Sequence, residues 1–309
     1  MIDPEIAAWL RDFPAPDIDY RDIDAVRALF ADYMADEGGP APRWPRDEVT
    51  LTSLSVGGVP ALMWRPREAS NPLPVVLAFH GGAFIVGAPL GAERLAVPLA
   101  VSHGVCTVSV GYRLAPEHPA PAALDDAKRA LDALASIPGI DVDRVAVHGS
   151  SAGAALAAGL ALHARDMRRP IALQSLSCPA LDSRTPVTGD DNHSMRGLSP
   201  TLTRESVEAM WQHYLAGASP MSEAMSYVVP ALTTDVSGVA PAHITVAEWD
   251  VLRDEGLDYA RRLRRAGVSA DVDVVRGAVH GFDGLLPDSA LARASLAKQV
   301  DAIVSALKA

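Results

Sequence analysis

Cysteine is scarce. Cys106 and Cys178 are the only two in 309 residues, each inside an apolar stretch that reads as a strand or its end. A disulfide framework is therefore excluded, and both are expected as buried free thiols. No apolar run reaches the roughly 18 residues that span a bilayer. The first residues carry Asp3 and Glu5 and no basic stretch before an apolar core, which is not how a secretory signal begins. Excess positive charge is lacking too. The net charge is −11, with acidic residues spread along the chain, which argues against nucleic acid and anionic membranes as partners. No internal repeat or low-complexity segment occurs. Together these absences predict a cytoplasmic globular protein, and 49% hydrophobic residues are ample for a core of one large domain or two small ones.

What is there is an alternation. Residues 1–45 hold short amphipathic helices, the clearest stripe being Ile23, Val26, Leu29, Phe30, Tyr33 and Met34 at three- and four-residue spacing. Two strand-like runs, 49–56 and 59–65, meet at Gly57-Gly58, a hairpin signal. Strands are then predicted over 73–79, 105–110, 145–147 and 171–177, with helices over 121–136 and 152–165. Such alternation implies a doubly wound, mostly parallel sheet flanked by helices. From Asp182 to about Tyr227 the rhythm stops. One helix from near Thr203 carries Val207, Met210, Trp211, Tyr214 and Leu215, and Met195, Met210, Met221 and Met225 give this insertion an adaptable apolar surface. Alternation resumes with strand 243–247, helix 254–266, strand 272–275 and a terminal helix 289–307.

One stretch carries the chemistry. Arg144 to Val147 leads into Gly149-Ser150-Ser151-Ala152-Gly153 and then a run of alanines and leucines, a strand, a sharp turn and a helix. The G-x-S-x-G turn is the nucleophile-elbow pattern: the middle residue is strained, and Gly149 and Gly153 leave room for crossing backbones. Ser151 stands at the helix N-terminus, where developing negative charge is favoured. Ser150 is out of register for that role. A serine hydroxyl needs a base and a group that orients the base. In a doubly wound sheet both should follow late strands. Asp250 and His280 do, and Ser151, Asp250, His280 is the serine–acid–histidine order that accompanies this elbow. Glu248, Asp254, Glu255 and Asp258 are rival acids, but those after residue 252 read as a helix's first turns, complementing its dipole. His103, His118, His163, His193, His213 and His243 stand in no motif and read as structural or solvated; His148 reads as packing.

His80-Gly81-Gly82-Ala83 closes an apolar strand with small residues whose backbone can approach Ser151. Acyl transfer builds an oxyanion, so N–H donors are expected there, namely Gly82, Ala83 and, from the elbow, Ala152. His80 reads as an anchor for this loop.

Taken together, His80-Gly-Gly-Ala-Phe, Tyr112-Arg-Leu-Ala-Pro-Glu-His-Pro-Ala-Pro-Ala-Ala, Gly149-Ser-Ser-Ala-Gly, Asp250-Val-Leu-Arg-Asp-Glu and His280-Gly-Phe resemble the bacterial hormone-sensitive lipase family of carboxylesterases, from about residue 70 onward. The resemblance implies an α/β-hydrolase fold with a helical cap. By position the cap is residues 1–45 and 182–227, and the catalytic domain 46–181 with 228–309. It also implies a serine esterase without metal or cofactor, acting on small-molecule esters, short acyl chains first. An amide, formamide or lactone hydrolase with the same triad is the alternative; a non-catalytic receptor, like the plant gibberellin receptors, would be expected to lack His280. Three positions depart from the family: Ala83 for the third glycine, Ser150 for Asp or Thr, Val251 for proline. None removes a catalytic group. Arg113 and Glu117, with Asp126, are expected to form a buried ion-pair network behind the site. An exposed edge strand would suit a homodimer.

Overall fold

A computed structural model describes residues 1–12, 19–36, 47–68, 72–184, 199–219 and 224–308. Eight strands form one sheet in the order β1-β2-β4-β3-β5-β6-β7-β8. They are β1 (Val49–Val56), β2 (Val59–Pro66), β3 (Leu73–Phe79), β4 (Cys106–Val110), β5 (Ile140–Ser150), β6 (Leu173–Ser177), β7 (Ala242–Trp249) and β8 (Ala270–Val279). β2 runs antiparallel to both β1 and β4, and the other pairs are parallel. The helices are α1 (Pro4–Asp12), α2 (Ile23–Asp36), α3 (Glu93–His103), α4 (Ala122–Ala133), α5 (Ala152–Asp166), α6 (Arg204–Tyr214), α7 (Met225–Val228), α8 (Arg253–Arg265), α9 (Phe282–Leu285) and α10 (Ala290–Lys308).

The pleat sorts the central strands' residues to two cores. Val75, Leu77 and Phe79 of β3 face a large cluster with α4, α5, α6 and α8. Val76 and Ala78, between them, face α3 and α10. Burial on both faces explains why β3 reads as an unbroken apolar run. Among the described residues no helix is long and apolar enough to cross a membrane.

Several elements differ from the sequence reading, among them β5, β8 and α3. β5 starts five residues earlier than predicted, because its first half emerges from the core and carries Asp141, Asp143 and Arg144, hiding the strand pattern. β8 likewise extends through Gly277, whose positive φ of 78° reads as a breaker. Helix α3 has no counterpart among the predicted elements. Pro98 sits inside it, yet Leu95, Ala96, Val97, Leu99 and Ala100 are buried, so packing overrides the missing hydrogen bond. Its C-cap, Gly104 in the left-handed region, is the available signal. Of the predicted N-terminal stripe, Val26 is fully buried and Leu29 faces solvent; the side chains of Tyr33 and Met34, like Met195, Met221 and His193, lie outside what is described.

Candidate active site

Register places the site. Phe79 aligns with Gly149, Ser150 with Ser177, Ser177 with Thr245, and Trp249 with Val279. The residues that come immediately after β3, β5, β6, β7 and β8 are therefore His80, Ser151, Cys178, Asp250 and His280, brought together at the carboxyl edge of the sheet.

The turn at Ser151 has φ 52° and ψ −119°, a conformation that a side chain rarely tolerates. It is over-determined by its neighbours. Ser151 N–H donates to Ser177 O at 2.8 Å, and Ser151 O accepts from Ala154 N–H at 3.0 Å and Ala180 N–H at 3.2 Å. The flanking glycines are steric necessities. A Cβ on Gly149 would lie 2.2 Å from Gly153 O, and one on Gly153 2.2 Å from Phe79 O.

From this turn Ser151 Oγ reaches His280 Nε2 at 3.1 Å, and His280 Nδ1 reaches Asp250 Oδ2 at 2.7 Å. Asp250 is wholly buried, and its Oδ1 accepts Leu252 N–H at 2.9 Å. Burial on its own depresses the basicity of His280, but the charge and hydrogen bond of Asp250, helped by Asp283, outweigh it and raise the imidazole above its ordinary value. Such a chain can take a proton from the serine and hold the resulting positive charge.

The rival acids are engaged elsewhere. Glu248 accepts Gly277 N–H at 2.7 Å, Asp254 pairs with Arg253, and Asp258 with Arg261. Glu255 stands in the first turn of α8, as read, and is also buried, accepting Leu181 N–H at 2.9 Å and Asp182 N–H at 3.2 Å.

Opposite Ser151 lies the loop after β3. Gly81 is so close that an added Cβ would meet Ser150 O at 3.3 Å and Ser151 Cβ at 3.6 Å. Gly82, Ala83 and Phe84 all have positive φ, 119°, 55° and 61°. The Gly82 carbonyl accepts from Ile85 and Val86 N–H, both at 2.9 Å, which ties the reversal. Among the described residues no backbone acceptor pairs with the N–H groups of Gly82, Ala83 or Ala152, so all three can serve an oxyanion. His80 contacts this loop and its surroundings on two sides. Its Nδ1–H donates to Gly81 O at 2.7 Å, its ring stacks on Tyr112 at 4.2 Å, and burial lowers it to about 4, so it stays neutral. Tyr112 also donates its hydroxyl to His80 O at 2.8 Å. Phe84 stacks face to face on Tyr214 of α6, centroids 3.7 Å apart, docking α6 on this loop.

One expectation is corrected. Arg113 does bind Asp126, with Nη2–H donating to Oδ1 at 2.8 Å, and Arg129 joins it. Glu117, however, is half-exposed and pairs with Arg27 of α2 instead, at 2.7 Å. Cys178 is a buried free thiol as expected, and it stands beside the site. Its thiol stands within 4.8 Å of an Asp250 oxygen and a His280 nitrogen, at a positive φ of 44°. Burial first, and then the Asp250 and Asp283 charges, push that thiol well above its ordinary value. This is the one grouping of metal-ligand side chains among the described residues, and its carboxylate and imidazole are already bonded within the chain Ser151–His280–Asp250. No sequence signal separates Cys178 from Cys106. His148, with Nδ1 3.2 Å from Ser175 Oγ, is packed under the strand as read.

Comparison with known proteins agrees with this fold. The alpha/beta hydrolase fold model matches residues 76–284. Esterase LipI of Mycobacterium tuberculosis is 34% identical over 276 residues, 85% of this chain and 82% of that protein. Ethyl acetate hydrolase of Pseudomonas putida is 33% identical over 242 residues, 76% of this chain and 74% of that protein. Among solved structures, a bacterial heroin esterase superposes with a TM-score of 0.88 at 33% identity, covering 100% of this chain and 98% of its own. An esterase of the bacterial hormone-sensitive lipase family, at 24% identity, shares the fold with a TM-score of 0.82 over 99% of both chains.

Proposed function

The chain belongs to the α/β-hydrolase family, and its relatives are carboxylic ester hydrolases; on that premise we propose that it is a serine esterase of the hormone-sensitive lipase type in which Ser151 is the nucleophile, His280 the base and then the acid, and Asp250 the group that orients and charges the imidazole. The observation that supports this reading most is His280 bridging Ser151 Oγ at 3.1 Å and Asp250 at 2.7 Å.

In this cycle Ser151 Oγ attacks the ester carbonyl carbon while its proton passes to His280 Nε2. The carbonyl oxygen becomes an oxyanion and takes hydrogen bonds from the N–H groups of Gly82, Ala83 and Ala152. Collapse of the intermediate breaks the bond to the alcohol, whose oxygen receives the proton from His280. Water, deprotonated by His280, then attacks the acyl-enzyme and frees Ser151. Every step is carried by this chain's own groups. Residues 1–45 and 182–227 act as the cap, and 46–181 with 228–309 as the catalytic domain. The stack of Phe84 on Tyr214 supports that division, since it closes α6 onto the oxyanion loop. A cap in that place favours short acyl chains on a small-molecule ester. Ser151→Ala tests the reading: the variant should keep its cooperative melt and lose hydrolysis of p-nitrophenyl acetate, and retained turnover would refute it.

A further inference from the structure

The residue that Glu117 binds is where the fold goes beyond the triad. Arg27 lies on α2, next to Val26, which is fully buried in the core. Its guanidinium spreads over two loops. Nη1–H and Nη2–H donate to the two Glu117 oxygens, both at 2.7 Å. Nε–H donates to Ile85 O at 3.1 Å, and Nη2–H also to Ala115 O at 3.2 Å.

Those two carbonyls are not arbitrary. The N–H of Ile85 donates to Gly82 O, and the N–H of Ala115 donates to Phe84 O, each at 2.9 Å. The same two residues thus hold the oxyanion loop with their amides and are held by Arg27 with their carbonyls. The segment they hold, Gly82 to Phe84, has three consecutive positive φ angles, two of them on side-chain-bearing residues, Ala83 and Phe84. A loop bent that way keeps its shape only while its surroundings impose it. The planar five-donor fork of arginine matches this task, because it can meet a carboxylate and two carbonyls at once, which a lysine ammonium cannot do in fixed geometry.

We propose that Arg27, clamped by Glu117, is a positioning residue that holds the Gly82 and Ala83 N–H groups in register with the oxyanion formed on Ser151, so that helix α2 completes the catalytic centre. The Arg27 and Glu117 side chains are 35% and 53% exposed, so their attraction adds little to overall stability. Their effect is on geometry. The fork holds the Glu117 carboxyl down at about 2, and the clamp stays charged wherever the enzyme turns over.

The inference rests on the Ser151 reading, so Ser151→Ala is measured beside Arg27→Ala, with p-nitrophenyl acetate for turnover and paraoxon for phosphorylation of the serine. Arg27→Ala is expected to lower kcat and the paraoxon rate together, by about 10- to 100-fold, as misplaced catalytic groups do. KM should stay within about twofold, because ground-state binding is untouched. The pH midpoint of kcat/KM should not move, since it reports His280 and not the loop; general loosening of the site would shift it. Arg27→Lys keeps the charge without the fork and should recover no more than about threefold. Parental kcat in Arg27→Ala, a loss confined to KM, a moved midpoint, or full recovery by lysine would each overturn the assignment. Should Arg27→Ala not melt cooperatively, Glu117→Gln carries the test with an expected loss of about threefold, and a parental rate there would overturn it. Turnover in Ser151→Ala would instead bring down the underlying reading.

Discussion

Replacing Asp250 by asparagine changes one atom and should nearly silence the enzyme. In the native site Asp250 Oδ1 accepts Leu252 N–H and Oδ2 accepts His280 Nδ1–H. The asparagine oxygen must stay on the Leu252 side, because an NH2 group there would leave two buried donors unpaired, at about 1–3 kcal/mol each. Its NH2 then faces His280, Nδ1 turns acceptor, and the ring proton moves to Nε2. That tautomer presents a donor to Ser151 and cannot take its proton. The lost charge adds to this. Two charges about 4 Å apart in an effective dielectric of about 20 attract by about 4 kcal/mol, which is about 10³ in rate. Both effects together predict kcat down by about 10⁴, with KM within about threefold. The sign of the pH effect is fixed as well. With the carboxylate gone, burial dominates and His280 falls, so the acid limb of residual kcat/KM moves to lower pH. Steady-state hydrolysis of p-nitrophenyl acetate across the pH range measures both. A kcat within about tenfold of the parent, or an unmoved acid limb, would refute the argument.

Three further outcomes are expected from the same geometry. Gly153→Ala drives a Cβ to 2.2 Å from Phe79 O and 2.4 Å from His80 O, backbone atoms of the central sheet and its loop. It should lose more than about 4 kcal/mol in urea unfolding, and a loss under about 1 kcal/mol would contradict the crossing geometry. Ala83→Gly removes a left-handed side-chain residue, φ 55°, relieving about 1 kcal/mol. Its melting temperature should rise by about 1–3 °C; a fall would mean that the methyl group's packing outweighs its strain. In a p-nitrophenyl ester series the rate should peak on short acyl chains, and a peak beyond about ten carbons would overturn the cap's assigned role.

Much of this site is legible without any fold in hand, because its chemistry is local in sequence. Gly149, Ser151 and Gly153 announce a strand–helix crossing by spacing alone, and the crossing is as tight as that spacing implies. Asp250 and His280 stand out as the residues able to act as acid and base just past the ends of late strands, a criterion that needs topology only. Contacts that close over long separations are not legible. Arg27 lies 90 residues from Glu117, whereas Arg113 is four positions away and looks the natural partner. Cys178 resembles any buried thiol until the alignment of β6 with β7 sets it beside Asp250. Helix α3 is hidden because Pro98 argues against a helix locally, and only packing against the sheet and α10 outweighs that local preference.

The account turns on one atom, the hydroxyl oxygen of Ser151. Treatment with a fluorophosphonate, followed by peptide mass spectrometry, should place a single adduct on Ser151 and none on Ser150 or on the Ser151→Ala protein, with esterase activity lost in step with labelling. An adduct on another residue, or hydrolysis that survives full modification of Ser151, would contradict it.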